Sequence, residues 1–226
     1  MRAVLILLAS TGCSQIFGIE APQRLDGAVT DSLDEHRDAS PDIANRMMAT
    51  FQQGVDGYTG ARDTWIDSGA PNISRENDSP LRIRSADRWS MIAFGSLFGT
   101  AATQIPPMAT IETAQLEFVL ANNNCQVSLA EIVVQWADTV TYNTFGPTPG
   151  PQMTEDFSTP FAVVPTTTIG KASIDVTDSL ETWQSAPASN NGWLFVPTGG
   201  ANDCTVRSSD ENQAQLRPLL SVTYVP

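Results

Sequence analysis

The feature that most constrains the fold is a series of short segments in which apolar and polar residues alternate. In residues 114–120 every even-numbered position is apolar, whereas Gln115 and Glu117 are polar. A period of two is typical of a β-strand with one buried face. Similar runs rich in β-branched and aromatic residues, each bounded by turn-forming residues, are residues 88–94, 126–136, 171–176, 193–196 and 219–225. Many short strands without long helices between them predict an all-β protein, an antiparallel β-sandwich of jelly-roll type.

One short helix is expected within this pattern, at residues 178–184. Asp178 and Glu181 have the spacing of a capping box, and Leu180 and Trp183 would lie on one side of the helix. Such a helix would cover one end of the sandwich. The proline-rich residues 146–165 predict a long connection that crosses between the two sheets.

The N-terminus resembles the signal of a bacterial lipoprotein. Met1 and Arg2 precede an apolar run, residues 3–9, that is too short to span a bilayer. Residues 8–13 resemble a lipobox that ends at Cys13, although Ser10 stands where leucine is usual. Residues 1–12 are therefore predicted to be a signal peptide and Cys13 the lipidated residue of an exported lipoprotein at the outer membrane or cell surface. Ordinary secretion is the alternative.

Residues 13–50 form a predicted acidic tether. Acidic residues outnumber basic residues there and large apolar residues are sparse, so this segment has little surface to bury. The ordered domain is expected to span residues 51–226.

The cysteine count agrees with export. Lipidation of Cys13 would leave Cys125 and Cys204 as a pair, and in an oxidising compartment we expect them to form a disulfide. Each lies beside a turn rich in Asn. Two buried free thiols are the alternative.

The ordered region resembles the DNRLRE domain family of exported β-sandwich modules. The resemblance covers residues 51–226 and depends on the joint order of several short motifs. These motifs are residues 51–66, 109–116, 136–143, 175–177 with Trp183, 191–193 and 217–224. Because such modules are similar to the carbohydrate-binding modules of secreted polysaccharide lyases, the resemblance implies binding rather than turnover. The resemblance also implies that the ligand is a polysaccharide, for which alginate is one candidate.

Composition disfavours two other classes of function. A net charge of −13 repels the phosphate backbone of nucleic acids. His36 is the single histidine and lies in the tether, so the domain has no triad, cysteine–histidine pair or histidine-containing zinc site. Catalysis by two carboxylates would need opposed positions, but Glu112 and Glu117 would point to opposite faces of a strand.

The candidate sugar site combines aromatic residues with a local basic cluster. An exposed indole could stack on a sugar ring while arginines bind an anionic sugar. In the alternative, the aromatic residues belong to the core and the arginines pair with acids such as Asp87. The candidate ligand-binding residues are Trp89, Arg84, Arg88, Trp65 and Tyr58.

A structural calcium ion is a further possibility, because jelly-roll modules often hold one through carboxylates and carbonyls. In the alternative, the acidic residues are simply solvated. The candidate ligands are Asp63, Asp175, Asp178, Asp210 and Glu211.

The leading functional hypothesis is a surface-anchored, noncatalytic module that binds polysaccharide and contacts the membrane only through its lipid. The second is a structural or adhesive envelope lipoprotein that acts through protein contacts. The third is an enzyme that acts on glycans. The sequence indicates neither the sugar nor the oligomeric state.

Overall fold

The computed structural model describes residues 45–85, 87–122, 126–164, 169–199 and 203–226. The predicted signal peptide, Cys13, His36, most of the tether and Cys125 lie outside these described residues. Within them the chain forms two antiparallel sheets and one helix, which confirms the predicted all-β sandwich with a short helix. The elements are β1 (Met47–Gln52), β2 (Ala61–Asp67), β3 (Leu81–Ile83), β4 (Arg88–Phe94), β5 (Thr110–Leu120), β6 (Gln126–Glu131), β7 (Ala162–Val163), β8 (Gly170–Asp175), α1 (Thr177–Ser185), β9 (Trp193–Gly199), β10 (Cys204–Val206) and β11 (Leu219–Val225).

The first sheet has the strand order β1-β11-β5-β10-β3, and β8 also pairs with β5. Met47 pairs with Tyr224 at the start of β1, and Phe51 pairs with Leu220 near its end. The ordered domain therefore includes Met47–Thr50, which the sequence predicts to belong to the tether. The strand pairing of β1 was missed because residues 47–50 show no clear alternation.

The second sheet has the strand order β2-β4-β9-β6-β7. The core lies between the two sheets, where Phe118 of β5 meets Phe195 of β9 edge to face at 5.2 Å between ring centroids. The apolar face of β5 points into this core, as its alternation predicts.

The second sheet is buried on both faces. The segment that follows β6, residues 132–157, covers the outer face and packs Trp136, Phe145 and Phe157 against Met91 and Leu194. For this reason β2 and β4 are buried at most positions and show little alternation. The prediction that residues 146–165 cross between sheets was wrong for most of this stretch, because β7 returns to pair with β6.

The predicted helix is confirmed as α1, with Leu180 and Trp183 buried beneath it. Its first turn is held by Asp175, whose Oδ1 accepts hydrogen bonds from the Thr177 amide at 2.9 Å and the Thr177 hydroxyl at 2.7 Å. The capping box expected of Asp178 and Glu181 was wrong, because the helix begins before Asp178. Within the described ranges, no helix combines the length and apolarity needed to cross a bilayer.

Candidate functional site

The basic cluster predicted to meet an anionic sugar is paired with acids. Arg88 Nη1 donates to both carboxylate oxygens of Asp203 at 2.7 and 2.8 Å, and its Nε lies 3.4 Å from Asp67 Oδ2. Arg84 forms a two-point ion pair with Asp87, which holds the pKa of the Asp87 carboxyl below its usual range. Since both guanidinium groups are bound to carboxylates, neither presents an unpaired positive charge to an anionic ligand.

Trp65 lies beneath these arginines in the inter-sheet core. Its side chain is only 3% exposed, and the guanidinium of Arg75 lies 4.6 Å from the ring centroid. Arg88 and Arg82 lie over the same ring at 5.6 and 5.7 Å. The indole is therefore covered by cation–π contacts and has no open face for a sugar.

Trp89 lies on the other side of the second sheet. It follows Arg88 in β4, so the two side chains point to opposite faces of the strand. Trp89 is half-buried against Tyr142, at 5.9 Å between ring centroids, in the cluster beneath residues 132–157. The structure thus separates Trp89 from the arginines with which the sequence grouped it.

Tyr58 links the first loop to the core. Its hydroxyl donates to the Gly95 carbonyl at 2.8 Å, and its ring packs edge-on against Phe51 at 5.2 Å. Burial raises the pKa of the Tyr58 hydroxyl above its ordinary value. The five predicted ligand-binding residues therefore do not converge on one open surface.

A cleft of about 670 Å³ lies between the N-terminal end of α1 and the segment that leads into β7. We call it the helix cleft. Its rim carries Phe161, whose side chain is 46% exposed. The other residues that line it include three carboxylates, four hydroxyls and small apolar groups: Glu131, Asp175, Asp178, Ser158, Thr159, Thr177, Ser179, Ala162, Ile174 and Val176.

Hydrogen bonds fix several polar groups of the helix cleft. The Ser179 hydroxyl donates to Glu131 Oε1 and also accepts from the Trp193 indole at 3.1 Å. The hydrogen bonds from Thr177 lower the pKa of Asp175, so this carboxylate is ionised at neutral pH. Because these acceptors are held in place by β6, β8 and α1, the polar wall of the cleft is rigid. No sequence pattern indicates this cleft, since Phe161 stands in a proline-rich stretch without alternation.

A second cavity, of about 380 Å³, contains four acidic residues. We call it the acidic pocket, and its charged and amide residues are Asp63, Glu76, Asp138, Asp210, Arg62, Gln53 and Asn77. Asp63 Oδ2 accepts a hydrogen bond from the Ser209 amide at 2.5 Å. Burial, helped by the charges of Asp210 and Asp138, raises the pKa of Asp63 to about 7. Burial and Asp138 likewise raise the pKa of Asp210.

The five candidate calcium ligands do not lie together in one cavity. Asp63 and Asp210 lie in the acidic pocket, and Asp175 and Asp178 lie in the helix cleft. Glu211 accepts from Arg207 at 3.0 Å. In the arrangement that the structure describes, no three acidic, histidine or cysteine side chains among the described residues are placed to hold a metal ion together.

Fold and site together define a two-sheet antiparallel module that carries the helix cleft and the acidic pocket. Comparison with known proteins gives no matching family model and no matching curated protein. The resemblance to DNRLRE domains accordingly stays a prediction from the sequence motifs.

Proposed function

We propose that the protein is an exported, lipid-anchored, noncatalytic module that binds polysaccharide in the helix cleft. The observation that carries the proposal is the exposed ring of Phe161 beside fixed carboxylate and hydroxyl groups. This places the proposed ligand away from Trp89 and the arginines. The lipobox at Cys13 supports the anchor, and the sequence motifs support the binding role.

The chemistry of the cleft suits a neutral sugar. A pyranose has an apolar C–H face that can stack on an aromatic ring, and its hydroxyls donate well to carboxylates. Glu131, Asp175 and Asp178 would accept such hydrogen bonds. The same three carboxylates would repel a uronic acid polymer, because no arginine or lysine is among the described residues that line the cleft. We therefore expect neutral polysaccharides to bind in preference to alginate.

The test is the variant Phe161→Ala, compared with the wild type by affinity gel electrophoresis against neutral and anionic polysaccharides. Loss of the stacking ring is expected to weaken binding of a neutral polysaccharide about tenfold, which corresponds to about 1.4 kcal/mol. Val163→Ala is the matched control, because Val163 is a nearby exposed apolar residue on β7 that does not line the cleft. Its retardation should equal that of the wild type.

Three results would contradict the proposal. One is no retardation of the wild type by any polysaccharide of the panel. Another is equal weakening by Phe161→Ala and Val163→Ala. The third is release of reducing ends from polysaccharide by the purified protein, which would favour the alternative of a glycan-active enzyme.

A second candidate function, adhesion through protein contacts, is favoured by the sheet edges. β1 and β7 are edge strands, and Met48 and Val163 on them are 71% and 77% exposed. An edge strand offers unpaired backbone groups to which a partner strand can add. Crosslinking to an envelope protein that persists in excess polysaccharide would support this function over the first.

A further inference from the structure

The acidic pocket contains two buried carboxylate oxygens without hydrogen-bond partners. Asp63 Oδ1 and Asp138 Oδ1 are both removed from solvent and neither accepts a hydrogen bond, although Asp138 Oδ1 lies at the 4.0 Å limit of an ion pair with Arg62. Asp63 is only 3% exposed as a whole residue and lines the pocket from β2. Asp138 reaches the pocket from the segment that covers the second sheet, and Asp210 reaches it from the turn after β10. Three distant parts of the chain thus bring carboxylates to one cavity.

The arginines near the pocket donate their hydrogen bonds to backbone carbonyls rather than to the carboxylates of the pocket. Arg62 donates to the Trp136 carbonyl at 2.9 Å and lies over the Trp136 ring, and its Nη1 is 4.0 Å from Asp138 Oδ1. The charge of Arg217 offsets part of the rise in the pKa of Asp210, but its guanidinium donates to the carbonyls of Glu211 and Gln53. With Glu76 also present, four carboxyls face one lining arginine. A buried carboxylate that lacks a partner is costly, so the pocket favours the entry of positive charge.

We propose that the acidic pocket binds a divalent cation of the calcium type, with Asp63 Oδ1, Asp138 and Asp210 as its charged ligands. This site is separate from the helix cleft, so the proposal does not depend on sugar binding. Calcium takes six to eight oxygen ligands, and the amide groups of Gln53 and Asn77 are further donors on the wall of the pocket. The oxygen-only donor set favours a hard cation over zinc or copper.

Binding requires a local adjustment of side chains. As described, no three of these acids are placed for shared coordination. Asp63 is fixed by the core, but the Asp138 side chain is 48% exposed and Asp210 lies at the surface. Rotation of these two surface side chains toward Asp63 would complete the site. The cation would then join β2, the cover over the second sheet and the turn at residues 208–211.

The experiment uses the full chain after removal of bound metal with a chelator. Terbium(III), which substitutes for calcium at oxygen sites, is titrated while tryptophan is excited, and calcium is then added in competition. Trp136 is the expected sensitiser, because Arg62 joins its ring to the pocket. Thermal unfolding is measured in parallel with chelator and with millimolar calcium. We expect sensitised emission that calcium displaces, and a higher Tm with calcium.

Two variants locate the site. Asp138→Asn removes one charged ligand from a half-exposed position and is expected to raise the half-saturating calcium concentration about tenfold or more. Asp156→Asn is the matched control. Asp156 is also a buried aspartate with an unpartnered Oδ1, but it lies outside the acidic pocket, so its calcium affinity should equal that of the wild type.

The proposal is overturned if the wild type shows neither displaceable emission nor a calcium-dependent Tm. It is also overturned if Asp138→Asn binds as the wild type does, or if Asp156→Asn weakens binding equally. The polysaccharide assay tests different residues. A negative calcium result therefore leaves the proposed sugar site unaffected, and it can be distinguished from a negative polysaccharide result.

Discussion

The carboxyl group of Asp63 makes the free energy of unfolding depend on pH. Its pKa in the folded protein is about 7, whereas the ordinary value for an aspartate is 3.8. Between these two values the folded state binds more protons than the unfolded chain, so the free energy of unfolding falls as pH rises. The stabilisation by protonated Asp63 is complete below about pH 4 and is lost as pH rises through about 7.

We therefore expect the wild type to be more resistant to urea at pH 5 than at pH 8, when measured with a chelator present. Asp63→Asn keeps the oxygen that accepts from the Ser209 amide but cannot ionise. Asp156 and Asp210 also have raised pKa values and contribute the same trend to both proteins. The difference in unfolding free energy between variant and wild type should accordingly be larger at pH 8 than at pH 5. A difference that is constant with pH would contradict the charge assignment of Asp63.

At the scale of strands, alternation predicts a strand that has one buried face, whereas a strand buried on both faces is predicted only where a run of β-branched and aromatic residues marks it, as in β4. The alternation of apolar and polar residues predicts β5 correctly, because this strand has one face in the core and one polar face. Beneath the cover over the second sheet β2 is buried on both sides, and it was missed because Asp63, Thr64 and Asp67 interrupt its apolar residues, so that it shows neither alternation nor an apolar run. In β4 the local sequence put Trp89 beside Arg88, but adjacent residues in a strand face opposite ways. Arg88 binds two acids, Asp67 and Asp203. Both are distant from Arg88 in the sequence, so the sequence did not predict these ion pairs.

The helix α1 is held to the sandwich by a tryptophan pair. The ring centroids of Trp183 and Trp193 are 4.7 Å apart, and both side chains are fully buried. Trp183→Ala would leave a cavity between α1 and the core and is expected to lower the free energy of unfolding by about 3–5 kcal/mol. Chemical denaturation monitored by far-ultraviolet circular dichroism measures this loss.

Trp183→Phe separates packing from the electronic contact of the two indoles. It should retain most of the stability but lose the near-ultraviolet dichroism that arises from coupled tryptophans. Trp89→Ala is a suitable comparison, because Trp89 packs on Tyr142 away from this pair. If Trp183→Ala were no less stable than Trp89→Ala, α1 would not be anchored by the tryptophan pair.

At the scale of the whole molecule, one sheet is closed by two separate layers. The first sheet covers the inner face of the second sheet, and residues 132–157 cover the outer face of the second sheet. The helix α1 packs against the core at the tryptophan pair. The pattern of short strands in the sequence predicts the sandwich. It did not reveal the outer layer, because residues 132–157 form turns whose apolar residues have no regular period. Both cavities depend on such irregular segments, which is why neither was predicted from the motifs.

The predicted disulfide would tie the end of β5 to β10. Leu120 pairs with Val206, and the Ala121 amide donates to the Thr205 carbonyl at 2.9 Å. Asn122 Oδ1 accepts from the Thr205 amide at 2.7 Å, so the chain just before Cys125 lies beside buried Cys204. Cys125 follows Asn122 by three residues in the sequence, and three residues of chain span at most about 10 Å.

We expect peptide mapping of the unreduced protein to recover Cys125 and Cys204 in one crosslinked peptide. Reduction should lower the free energy of unfolding by about 4–5 kcal/mol, since the bond would close a long loop of the unfolded chain. Cys13→Ser serves as the background, because an unlipidated Cys13 could exchange with the pair. Alkylation of both remaining thiols in denaturant without a reductant would refute the bond. A crosslinked peptide would indicate that the domain folds in an oxidising compartment, as the N-terminal signal predicts.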